Sequence, residues 1–105
     1  MAIKKQFTSF QDLLAESEVP LLVDFYAAWC GPCQMMAPIL EQVQHRLSGR
    51  LKVVKIDTDR YPQLASRYGI QALPTLVVFK QGQPVDRLEG VMQAEQLISR
   101  LQSVL

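Results

Sequence analysis

The run Leu21-Leu22-Val23-Asp24-Phe25-Tyr26-Ala27-Ala28 leads straight into Trp29-Cys30-Gly31-Pro32-Cys33, and nothing else in the chain restricts its fold so tightly. A nearly continuous apolar run of this kind reads as a central strand covered on both faces, as in a parallel sheet. Behind the cysteines, Met35, Met36, Ile39, Leu40, Val43 and Leu47 recur at helical spacing, which predicts an amphipathic helix over 34–47 with these residues on its apolar face. Pro38 lies inside that helix and is expected to kink it, because it removes an amide donor and its ring crowds the preceding turn. The two cysteines are the only ones in the chain, and Trp29 is the only tryptophan. Two thiols three residues apart at the start of a helix either close and reopen a small disulfide ring or supply half of a metal site.

The remaining segments extend this strand–helix unit. Ala2 to Phe7 reads as a short first strand. Ser9 is placed as an N-cap, with Asp12 three residues on, and Phe10, Leu13 and Leu14 give a short helix ending near Glu18 before Pro20. Leu51 to Asp57 is a further strand. Asp59 to Pro62 offers a cap and a proline start for a brief helix with Leu64, Ala65 and Tyr68 on one face, ended by Gly69. Thr75 to Lys80, the turn Gln81-Gly82-Gln83 and Pro84 to Glu89 make a hairpin; Gly90 breaks it, and Gln93 to Val104 closes the chain as a helix. The order βαβαβ then αββα predicts an α/β fold. Its mixed central sheet has about five strands and helices on both faces, in one domain spanning 1–105.

A chain of 105 residues buries about two-thirds of its unfolded surface and needs no structural metal or disulfide staple. The net charge is +1 and no basic run exceeds Lys4-Lys5, which argues against a nucleic-acid footprint or a polybasic membrane anchor. No stretch approaches the ~20 apolar residues of a membrane span. The segment Met1 to Phe7 lacks the apolar core of a secretory signal, so the expected address is the cytoplasm. In that reducing compartment a close cysteine pair is catalytic or metal-binding more often than structural. His45, the sole histidine, lies twelve residues past Cys33 on the same predicted helix, roughly 18 Å along its axis, too far to share a metal ion. The four methionines read as core filling.

With Trp29-Cys30-Gly31-Pro32-Cys33 set between such a strand and helix, the chain resembles the thioredoxin family. The resemblance covers nearly the whole chain. It takes in Val23-Asp24-Phe25, Pro38, Lys55 with Asp57 and Asp59, Tyr68-Gly69-Ile70, Leu73-Pro74-Thr75, Phe79-Lys80-Gln81-Gly82 and Gly90. It implies a protein-disulfide reductase that needs no cofactor or metal of its own, works as a monomer and is reset by a thioredoxin reductase drawing on NADPH or ferredoxin. Cys30, at the positive end of a helix, is expected to be the exposed attacking thiolate. Thioredoxins hold this thiol at a pKa of ~7, and the resemblance implies the same here. Cys33, one turn further in, is expected to be the more buried resolving thiol.

Asp24, a carboxylate in an apolar strand, is expected to have a raised pKa. The resemblance makes it the acceptor of the Cys33 proton, with Lys55 reaching towards it. It also implies a cis peptide before Pro74, with Leu73 free to pair with an extended substrate. Trp29, Gly31, Pro32, Ala72, Leu73, Pro74, Gly90 and Val91 are the expected substrate-binding residues.

Several positions depart from the family pattern. Tyr26 stands where many bacterial members carry tryptophan, Ala28 where a polar residue is usual, and Leu73 where isoleucine is. Gln34 replaces the usual Lys or Arg, and Glu89 an apolar residue, which should turn partner choice towards less acidic targets. The Gln34 variant is similar to cyanobacterial and plastid thioredoxins. Gly-Pro between the cysteines fits a reductase better than an oxidase or isomerase. The alternatives are a binding subunit that uses the apolar rim without turnover, and a metal site bridging two chains.

Overall fold

The computed structural model describes the backbone of residues 2–105 and the side chains of 9–105. The chain runs α1 (Ala2–Glu16), β1 (Leu21–Tyr26), α2 (Gly31–Arg46), β2 (Lys52–Asp57), α3 (Pro62–Arg67), β3 (Thr75–Lys80), β4 (Gln83–Glu89) and α4 (Ala94–Leu101). The strands form one sheet in the order β2-β1-β3-β4. Strand β1 lies parallel to β2 and antiparallel to β3, and β4 returns antiparallel beside β3. This is the mixed sheet that the order of elements predicted. The hairpin turns through Gln81 (φ 54°) and Gly82 (φ 80°), the pair of left-handed conformations that a tight two-residue connection requires.

Each face of the sheet carries its own core. Leu22, Leu76, Val78 and Leu88 meet Met36, Leu40 and Val43 of α2 and Leu97, Ile98 and Leu101 of α4. On the opposite face Val23, Phe25, Val77 and Phe79 meet Phe10 and Leu14 of α1 and Leu64 of α3. Alternation along β1 therefore aims Leu22, Asp24 and Tyr26 at the α2 side and Val23 and Phe25 at the α1 side. An ion pair between Arg46 and Glu95 joins α2 to α4.

The sheet has four strands where the sequence predicted about five. Residues 2–7, read as a strand, belong instead to α1, which ends at Glu16. The cause is visible in the pattern: Ile3, Phe7, Phe10 and Leu14 recur at helical spacing, and Ala2, Lys4, Lys5 and Gln6 are all good helix formers. Helix α2 begins at Gly31, three residues before the predicted start, and runs unbroken past Pro38.

Candidate functional site

The site is built where β1 gives way to α2. Cys30 has extended backbone angles (φ −87°, ψ 112°) and is the N-cap of α2, with Pro32 in the first turn, where no amide donor is needed. The Cys33 amide donates to Cys30 Sγ at 3.2 Å, so the sulfur accepts a bond from a free N–H of the helix start. Cys30 and Cys33 are joined as a disulfide, with their Cα atoms 5.2 Å apart. The strand end is tied to the helix by Cys30 N–H on the Ala27 carbonyl and by Gln34 Nε2 on the Ala28 carbonyl, each at 3.2 Å. One expectation is corrected. Cys30 and Cys33 are equally buried, each 5% exposed, in a small cluster with Ala27 against which Tyr26 and Leu73 pack. What distinguishes them is the hydrogen bond that Cys30 alone accepts as the cap.

Asp24 is 1% exposed, and neither carboxyl oxygen has a hydrogen-bond partner among the described residues. Burial pushes its pKa up from 3.8 to about 6, against a smaller downward pull from the Lys55 charge. Lys55 is the register partner of Asp24 across β1 and β2, and its ammonium lies 4.9 Å from the centre of the Tyr26 ring. Lys55, Tyr26, Cys33 and Gln34 line a cleft of about 130 Å³ beside the disulfide.

Of the expected substrate-binding residues, Leu73 packs against the cysteine pair. The Leu73–Pro74 peptide is cis, as the resemblance implied. Gly90 N–H donates to the Pro74 carbonyl at 2.9 Å, and Thr75 Oγ1 to the Ala72 carbonyl at 2.6 Å, which locks this loop and the end of β4 together. Leu73 is half-buried against the disulfide and Pro74 is buried, while Gly31, Pro32 and Ala72 are exposed. Trp29 is 71% exposed and Val91 38%.

Three residues depart from what the sequence leads one to expect or lie beyond it. The sequence places Asp59 as a helix cap. Instead it accepts Trp29 Nε1 at 2.7 Å, and Asp57 Oδ1 takes up the amides of Asp59 and Arg60. Met35, expected in the core, is 61% exposed, whereas Met36 is buried. The contact of Tyr26 with Lys55 had no signal in one sequence, since nothing in the spacing sets a ring on β1 beside an ammonium on β2.

Residues 2–103 match the thioredoxin family model. The chain belongs to the thioredoxin family. It is 68% identical over 102 residues to the thioredoxin-like protein slr0233 of Synechocystis sp., covering 97% of each chain. It is 54% identical over 104 residues to the chloroplastic thioredoxin Y1 of Arabidopsis thaliana, covering 99% of this chain and 60% of that one. A thioredoxin of Synechocystis sp. is 46% identical over 97 residues, covering 92% of this chain and 91% of the other. The chain therefore spans about the full length of its cyanobacterial relatives and 60% of the chloroplastic one. As a thioredoxin with a paired Cys30 and Cys33, it is a thiol–disulfide oxidoreductase that reduces protein disulfides and is itself reduced by a thioredoxin reductase. Among the described residues no helix is long and apolar enough to cross a membrane.

Proposed function

We propose that Cys30 is the attacking thiolate and Cys33 the resolving thiol of this reductase. The observation that carries the assignment is the position of Cys30 as N-cap of α2, its sulfur accepting the Cys33 amide at 3.2 Å. The helix start favours a negative sulfur there and gives Cys33 no equivalent. Cys30 Sγ attacks one sulfur of a partner disulfide, the partner's S–S bond breaks, and the departing thiolate takes up a proton. Cys33 then loses its proton to Asp24 and attacks Cys30 Sγ, releasing the second partner thiol and closing the disulfide of the chain. The partner has gained two electrons and the chain has lost two. An acid titrating at about 6 is ionised at neutral pH, so it has room for that proton, and Lys55 steadies its charge.

The rim of Trp29, Gly31, Pro32, Ala72, Leu73, Pro74, Gly90 and Val91 holds an extended segment of the target. The backbone of Leu73 pairs with that segment as in strand addition. The chain works as one domain and as a monomer in the cytoplasm, reset by a reductase fed by NADPH or by ferredoxin. Turnover with each purified reductase separates the two donors.

Cys30→Ser should abolish reduction of a disulfide-bonded protein. Cys33→Ser should trap that protein as a mixed disulfide on Cys30. Wild-type turnover by Cys30→Ser refutes the assignment. A reduction potential of about −270 mV, the value characteristic of thioredoxins, supports the reducing direction, and one of about −120 mV overturns it.

A further inference from the structure

We propose that Tyr26 is a positioning residue whose ring holds the Lys55 ammonium beside Asp24 and away from Glu41. The inference rests on the reading of Asp24 as acceptor of the Cys33 proton, and its test separates the two. Tyr26 ends β1 two residues after Asp24 and on the same face of the strand. Its backbone is fixed, because its carbonyl accepts both Thr58 N–H at 2.8 Å and Thr58 Oγ1 at 3.1 Å. Its ring faces the cleft that also holds Cys33, and there it meets Lys55 Nζ at 4.9 Å, within the range of a cation–π contact.

Lys55 has an alternative. It projects from β2, an edge strand, and lines a second cleft of about 150 Å³ together with Leu40, Glu41 and Gln44 of α2. An ammonium on a flexible four-carbon stem can turn to either cleft, and the Glu41 carboxylate favours the second. Asp24, for its part, receives no hydrogen bond among the described residues. On this face of the sheet Leu76 of β3 is its register partner, α2 and α4 present the apolar Met36, Leu40, Leu97 and Ile98, and Cys33 is held in its disulfide. Among the described residues Lys55 is thus the one cation that lowers the cost of an ionised Asp24, and the face of the Tyr26 ring keeps it within reach.

The two roles open to Tyr26 predict opposite signs. If the ring positions Lys55, Tyr26→Leu frees the ammonium to swing to Glu41, and the titration midpoint of Asp24 rises by about one pH unit, the low end of what one nearby opposite charge contributes. If the ring only fills space, the smaller side chain admits water to Asp24 and the midpoint falls. The carboxyl carbon of Asp24 is followed by NMR across pH in the oxidised protein, where no thiol titrates. The expected result is a rise in Tyr26→Leu, a wild-type midpoint in Tyr26→Phe, which keeps the ring face, and partial recovery when Glu41→Gln is added to Tyr26→Leu.

A fall or no change in Tyr26→Leu overturns the proposal, as does a Tyr26→Phe variant that behaves like Tyr26→Leu. A second measurement needs no variant. In the wild type the Lys55 ε-methylene protons should be shifted upfield by the ring, and ordinary lysine shifts also overturn it. If the midpoint rises as expected while the pH profile of disulfide reduction stays put, Tyr26 holds Lys55 but Asp24 is not the proton acceptor.

Discussion

Asp24 makes the stability of the chain depend on pH. Its pKa is 3.8 when unfolded and about 6 when folded, so the folded chain binds this proton more tightly. The resulting stabilisation is complete below 3.8 and is lost as pH rises through about 6, which leaves an ionised, buried carboxylate above that range. At about 1.4 kcal/mol per pH unit the difference amounts to about 3 kcal/mol. Asp24→Asn in the oxidised protein should therefore gain about 3 kcal/mol more over wild type at about pH 8 than at about pH 3.5, measured by urea unfolding at both values. Equal gains at the two pH values would show that Asp24 titrates normally. The odd carboxylate was legible in the sequence because an acid inside an apolar run is costly to bury, and a costly group points to a task. The exposure of Met35 was not legible, since Met35 and Met36 are neighbours in a helical pattern and only packing decides which of them turns inward. Nor was the equal burial of the cysteines, which Leu73 imposes from a distant loop.

Helix α3 shows how an element too short to stand alone is held. It has six residues, far fewer than a helix needs in isolation, and its C-terminal end is gripped from β4. Arg87 donates through one terminal nitrogen to the Tyr68 carbonyl and through the other to the Gly69 carbonyl, each at 2.7 Å. These contacts close the helix end next to the Tyr68 ring, which packs edge-on against Phe10 and Phe79. Arg87→Ala should cost about 1–2 kcal/mol of unfolding free energy, the worth of exposed charge-assisted bonds, and Arg87→Lys should restore only part of it for want of the fork. A change below about 0.3 kcal/mol by denaturant unfolding would deny Arg87 this role. Among the elements, β1 was legible as a short, nearly unbroken apolar run, α2 by its helical period, and β4 because Pro84 suits an edge strand. Taken alone, residues 2–7 are short enough to satisfy either period, and the helix becomes legible only when Ile3 and Phe7 are carried on to Phe10 and Leu14.

At the scale of the whole molecule, the order β2-β1-β3-β4 brings three separated stretches to one end of the sheet. The turn after β1, the loop before β3 and the end of β4 meet there. The alternation of strands and helices made this fold readable, but the meeting of Gly90 with Pro74 depended on a hairpin register that one sequence does not specify. The same end carries a charge pattern. Glu89 stands opposite Thr75, Asp59 lies against Trp29, and Gln34 contributes no compensating cation. A rim of this kind slows encounters with acidic targets and the effect fades as salt screens it. Gln34→Lys combined with Glu89→Lys should raise kcat/KM towards an acidic disulfide peptide by about tenfold at low salt, with the advantage gone at about 1 M. An advantage that survives high salt would point to contact chemistry instead. Trp29, bonded to Asp59 and next in sequence to Cys30, is the only indole in the chain. Long-wavelength ultraviolet fluorescence therefore arises at the redox pair alone, and the molecule reports the state of its own sulfurs as an optical signal, without a label and without background from either core.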